Sequence, residues 1–239
     1  LFLLPVVAGV ILWLLKPQLD KREWSYATLL ALVAGVTGLG AEWISFITPV
    51  QWGFSQVPLT LLSILAGWSI LGRFGLLQQG VGRNRFLTAG MWLTARSFLL
   101  GILVGTPWAL AGVVIGSAEG GRSAWVESWW QPLIALQPGI AEEAWGRLLL
   151  VPLVFLLFRS VSANRTAFST ALIVMAYWFA YLHASGNVAS VLVSTLIVGS
   201  LFSLPISIVC LYYDLETAIG FHFWMDFLKF AFALFFFNR

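Results

Sequence analysis

Six ionisable residues of this chain fall into three short arrangements inside otherwise apolar stretches: Glu142-Glu143 with Arg147, His183 four residues after Phe179, and Asp226 four residues after His222. Ionisable groups at such positions are expensive, so each needs a partner or a purpose. Arg96 is the other internal charge, with Glu42 and Lys229 as marginal members. On a helix Glu143 and Arg147 lie about 40° apart and Glu142 about 140° from Arg147. Arg147 therefore pairs with Glu143 more readily, leaving Glu142 without an in-helix cation, a placement suited to a general base. The histidine arrangements each place an imidazole one turn from a second group on the same helix face, an aromatic ring in one and a carboxyl in the other. The same set could instead ligate Zn²⁺ with a bound water. Taken singly, each arrangement also fits a plainer role: an ion pair that fixes helix register, or a histidine that only packs.

The elements that would carry these residues are membrane helices. Of 239 residues, 60% are hydrophobic and 10% charged, against roughly a quarter charged in soluble domains. Lipid forces backbone groups to pair internally, and continuous apolar runs such as 171–182 and 190–204 lack the alternation of a barrel. Eight spans are expected, at about 1–15, 25–49, 57–78, 86–116, 132–158, 166–186, 188–213 and 216–237. Together they make an all-α, polytopic transmembrane bundle forming a single domain over 1–239. The fourth span is long, and Pro107 is expected to kink it or to lay part of it at the interface.

Basic residues order the loops. Loops carrying Lys16, Lys21 and Arg22, then Arg73, Arg83 and Arg85, then Arg159 and Arg165 should face the cytoplasm. The loop at 50–56, the loop holding Arg122 with Glu119 and Glu127, and the turn near Gly186 should face outward, with Trp125, Trp129 and Trp130 as an aromatic belt. The net charge of +3 is scattered through these loops, which argues against nucleic acid as a partner. A lone Cys210 inside an apolar run excludes a disulfide framework or thiolate cage within the chain. The Gly101/Gly105 spacing reads as helix packing. The chain opens at Leu1 within an apolar stretch, from which an incomplete N-terminus is expected.

In combination the arrangements say more than singly, since both histidines of the chain lie in them, downstream of the double glutamate. The ordered set EExxxR, FxxxH and HxxxN/D, each on its own span, resembles the CPBP intramembrane endopeptidases, the CAAX-protease-like or Abi family, over about 138–230. That resemblance implies a glutamic-type protease of a bacterial plasma membrane, acting on a peptide or membrane-protein substrate without a covalent intermediate. It implies Glu142 as the base, His183 as a holder of the water, Glu143 and Arg147 as a supporting pair with Phe179 nearby, and His222 with Asp226 at the oxyanion. Asp226 stands where the best-studied members carry Asn and many bacterial members carry Asp. An ionised Asp cannot donate to an oxyanion, so its expected role is to orient His222.

Two further readings compete. A catalytically idle scaffold or accessory subunit of a larger membrane complex would suit the 15% aromatic content, though it has no use for Glu142 together with His183. An ion or proton pathway would need polar residues continuing across other spans. Depth poses a difficulty: Glu142 and His183 fall toward the outer half, whereas His222 lies about 9 Å from the cytoplasmic start of the last span. Convergence requires staggered helices, a bend near Pro205 or shifted boundaries.

Overall fold

A computed structural model describes residues 3–41, 48–74, 86–118, 126–161 and 164–236. Among them every regular element is helical: α1 (Leu4–Leu15), α2 (Lys21–Gly38), α3 (Pro49–Arg73), α4 (Phe86–Ala118), α5 (Leu136–Glu143), α6 (Val151–Phe158), α7 (Asn164–Leu182), α8 (Val188–Val198), α9 (Leu204–Tyr212) and α10 (Leu215–Phe236). A 3₁₀ turn, Gln131–Ala135, and a π turn, Ala144–Leu150, join α5 and α6 into one rod over 131–158, and a second π turn, Gly199–Ser203, joins α8 to α9. Glu42, Arg83, Arg85, Glu119, Arg122 and Trp125 lie outside the described residues.

Among the described residues four helical segments are long and apolar enough to cross a membrane: Pro49–Arg73, Thr94–Gly116, Val188–Cys210 and Leu215–Phe236. Leu4–Leu15 and Thr166–Leu182 are apolar but shorter. Of the eight spans expected, four are supported by length and composition among the described residues. The rod over 131–158 carries Glu142, Glu143 and Arg147 in its middle, and α2 opens on Lys21, Arg22 and Glu23.

Local chemistry sets several boundaries. Asp20 and Glu23 form a capping box at the start of α2, as do Thr48 and Gln51 at the start of α3, satisfying amides that a first turn leaves unpaired. Helix α3 therefore begins at Pro49 rather than near 57, and the segment read as an outer loop at 50–56 is its first two turns. Pro107 does not break α4, which runs through it as one helix; Thr106 Oγ1 bonds back to the Ile102 carbonyl at 2.9 Å nearby. Trp129 and Trp130 are exposed, as an aromatic belt requires.

Both π turns precede a proline by one residue, Pro152 and Pro205. Their closing bonds, from Val151 N–H to the Gly146 carbonyl and from Leu204 N–H to the Gly199 carbonyl, span five residues. A proline ring crowds the carbonyl four residues earlier and offers no N–H. Widening the preceding turn re-satisfies the backbone where water is absent.

The core lies between α2, α3, the 131–158 rod and α7, where Ala27, Ala34, Ile64, Leu65, Ala144, Leu148 and Phe155 are buried together. Helix α10 is held separately, against α4. A side chain at Gly101 would overlap the Thr217 carbonyl oxygen, and one at Gly220 the Phe98 carbonyl oxygen, so the two backbones touch, as small residues allow in membranes. Tyr26 Oη donates to Glu216 Oε1 at 2.8 Å, tying α2 to the start of α10. Gly101→Leu or Gly220→Leu is expected to cost about 1–3 kcal/mol through overpacking, read as a lowered thermal midpoint in detergent. Gly112→Ala, whose new methyl would have Phe202 at 4.0 Å as its nearest neighbour, should leave the midpoint unchanged.

Candidate active site

Glu142 and Glu143 end α5, and the π turn follows at once. Four residues apart on one helical rod, Glu143 and Arg147 share a face. Arg147 Nη1 lies 3.1 Å from Glu143 Oε1. The guanidinium also donates to Ser203 Oγ at 2.9 Å and Ser207 Oγ at 3.4 Å, and it packs over the Phe179 ring at 4.3 Å. A buried charge is tolerable only when paired and hydrogen-bonded in this way.

Glu143 Oε1 is also the acceptor for His222 Nδ1, at 2.8 Å. That bond places the proton on Nδ1 and turns Nε2 the other way, toward Glu142 Oε2 at 3.8 Å and Asp226 Oδ2 at 3.5 Å. On the opposite side His183 Nδ1 donates to the Phe179 carbonyl at 2.9 Å, so its Nε2 faces Glu142 Oε1 at 3.7 Å. Phe179 stacks on His183 at 4.5 Å between ring centroids and meets His222 edge-on at 6.3 Å. Trp145 backs Phe179 at 5.4 Å.

Glu142 thus stands between two imidazole Nε2 atoms, too far from either for a direct hydrogen bond. If both rings are neutral, all the groups meeting there are acceptors. Such a set is satisfied by a donor placed among them, a water or a protonated imidazole. Exposure is graded across the cluster, with Glu143 at 0%, Glu142 at 19%, Asp226 at 26% and His183 at 45% of the side chain. The site opens on the His183 side, where α7 ends.

All six residues singled out from sequence meet here, and Phe179 lies at their centre. The depth difficulty resolves through stagger. Gly139 of α5 seats against Phe223 of α10, and α7 stops at Leu182 with His183 at the level of Glu142. Glu142 falls about 18 Å along its rod from the 3₁₀ start, and His222 about 10 Å from the start of α10. Arg96 is exposed and takes no part. Orientation of His222 falls mainly to Glu143, at 2.8 Å, rather than to Asp226, at 3.5 Å. Among the described residues no group of three or more His, Cys, Asp or Glu is arranged to hold a metal ion. Ser203 and Ser207 were missed; their signal is a pair of hydroxyls four apart in an apolar run. Asp214 and Glu216 are also buried.

Compared with known proteins, the chain matches no family model, no curated protein and no solved structure.

Removing one member of the buried pair should cost more than removing both. Arg147→Met leaves Glu143 uncompensated and is expected to lower stability by about 3–5 kcal/mol, whereas adding Glu143→Gln to that variant should recover part of the loss. Thermal unfolding of the two variants in detergent measures the difference.

Proposed function

We propose that the chain is an integral-membrane endopeptidase, an eight-span helical bundle resembling the CPBP intramembrane endopeptidases, that hydrolyses a peptide bond with a water activated by Glu142. The observation that carries this reading is Glu142 flanked by the Nε2 atoms of His183 and His222, at 3.7 and 3.8 Å, in a partly open cluster whose rear wall is fully buried.

Each residue then has a task. His183, its Nδ1 committed to a backbone carbonyl, accepts from the water through Nε2 and holds it against Glu142. Glu142 takes the proton as the water oxygen attacks the carbonyl carbon. His222, charged and held at Nδ1 by Glu143, donates from Nε2 to the oxyanion that forms. Glu142 then passes its proton to the amide nitrogen as the C–N bond breaks, releasing a carboxylic acid and an amine. Arg147 holds Glu143 in place, and Asp226 faces His222 from its other side.

Glu142→Gln keeps size and shape, so the fold should survive while cleavage falls by about 10²–10⁴-fold. His222→Ala should cost about 10²–10³-fold, and His183→Ala a comparable loss. Cleavage of a peptide library by protein in proteoliposomes, read by mass spectrometry, measures all three; persistent cleavage by Glu142→Gln would refute the base. Wild-type protein stripped with chelator, its metal content verified, is expected to retain full activity. Loss of activity that zinc alone restores would transfer the water to a metal.

A further inference from the structure

The mechanism leaves two ionisable residues of the last helix unused, Glu216, which accepts from Tyr26, and Lys229. Lys229 is half-buried in α10, a segment apolar enough to cross a membrane. On an ideal helix His222, Asp226 and Lys229 fall within an arc of about 60°, with Lys229 about 10 Å along the axis from His222. Its aliphatic stem runs beside α4: a side chain at Gly116 would meet Lys229 Cε at 3.7 Å and Cγ at 3.9 Å. The stem is thereby laid along the helix pair, and the ammonium lies within electrostatic range of Asp226.

Asp226 does not satisfy it. Its Oδ2 is turned to His222 Nε2 at 3.5 Å, and among the described residues no carboxylate pairs directly with Lys229. A cation inside a membrane segment without an ion pair is costly, and the cost is offset when a ligand brings the opposite charge. The position fits such a ligand. Lys229 continues the helix face that carries His222 and Asp226, within a few extended residues of the carbonyl that His222 would polarise.

We propose that Lys229 is a specificity-determining residue that receives a carboxylate of the peptide substrate, borne by an acidic side chain or by a chain terminus. The inference rests on the peptidase reading of the same site, but it can be tested by binding alone. In the full-length Glu142→Gln protein in zwitterionic nanodiscs, affinities are measured for three matched hydrophobic peptide pools. One has C-terminal amides and internal Gln, one has C-terminal amides and internal Glu, and one has free C-termini and internal Gln.

At least one acidic pool should bind about tenfold more tightly than the neutral pool, equivalent to about 1.4 kcal/mol. Adding Lys229→Met should abolish that preference while leaving neutral-pool affinity unchanged, and Lys229→Arg should retain it. Gain in the internal-Glu pool alone assigns the carboxylate to a side chain, and gain in the free-acid pool alone to a terminus. Equal binding of all three pools, or a preference that persists in Lys229→Met, overturns the proposal. So does a Lys229-dependent response to phosphatidylglycerol without any peptide charge preference, which would make the residue a lipid headgroup contact. Absence of cleavage by wild-type protein would count against the peptidase reading alone, because these affinities require no turnover.

Discussion

A charged pair buried in an apolar bundle constrains everything around it. Glu143 and Arg147 are almost wholly removed from solvent, and neither can be left unmatched at that depth without a penalty of several kcal/mol. The requirement spreads outward. Arg147 needs more acceptors than one carboxylate supplies and finds Ser203 and Ser207 on the α8–α9 segment. Glu143 needs a second donor and finds His222 on α10. Phe179 of α7 covers the guanidinium. One ion pair thereby fastens four separate helical segments, and the imidazole it captures is the one the proposed chemistry needs turned toward Glu142.

The two π turns make that fastening geometrically feasible. Each is a local response to a proline within a helix, and each changes which side chains share a face just ahead of that proline. Arg147 lies within the first π turn and Ser203, which accepts from its guanidinium, within the second. The backbone irregularity and the polar cluster thus coincide. Widened turns of this kind recur at functional sites because they redirect side chains without breaking the helix.

Adjacent carboxylates, Glu142 and Glu143, take opposite parts because successive helical residues point about 100° apart. One is sealed into the bundle with a cation and an imidazole. The other faces the open side between two ring nitrogens, where a reactant could reach it. Helix α10 is positioned for both by close backbone contact with α4 at Gly101 and Gly220, a packing that leaves little freedom for His222 to slide.

Much of this was legible in the residues alone. Apolar runs marked the helices because lipid-compatible segments must be long, continuous and internally hydrogen-bonded, and the four-residue steps marked the site because helical spacing is a local property. The pairing of Arg147 with Glu143 followed from the same arithmetic, and the start of α3 at Pro49 was written in Thr48 and Gln51, though the apolar count overrode it. What only the tertiary structure decided is how separate helices are staggered and rotated against each other. That is why Glu143 rather than Asp226 orients His222, why Ser203 and Ser207 serve Arg147, why Glu216 is buried against Tyr26, and why residues at apparently different depths meet. Spacing along one helix fixes angles within it, but relative height and rotation between helices come from which small residues let backbones touch and which buried charges demand partners, and both depend on the whole packed chain.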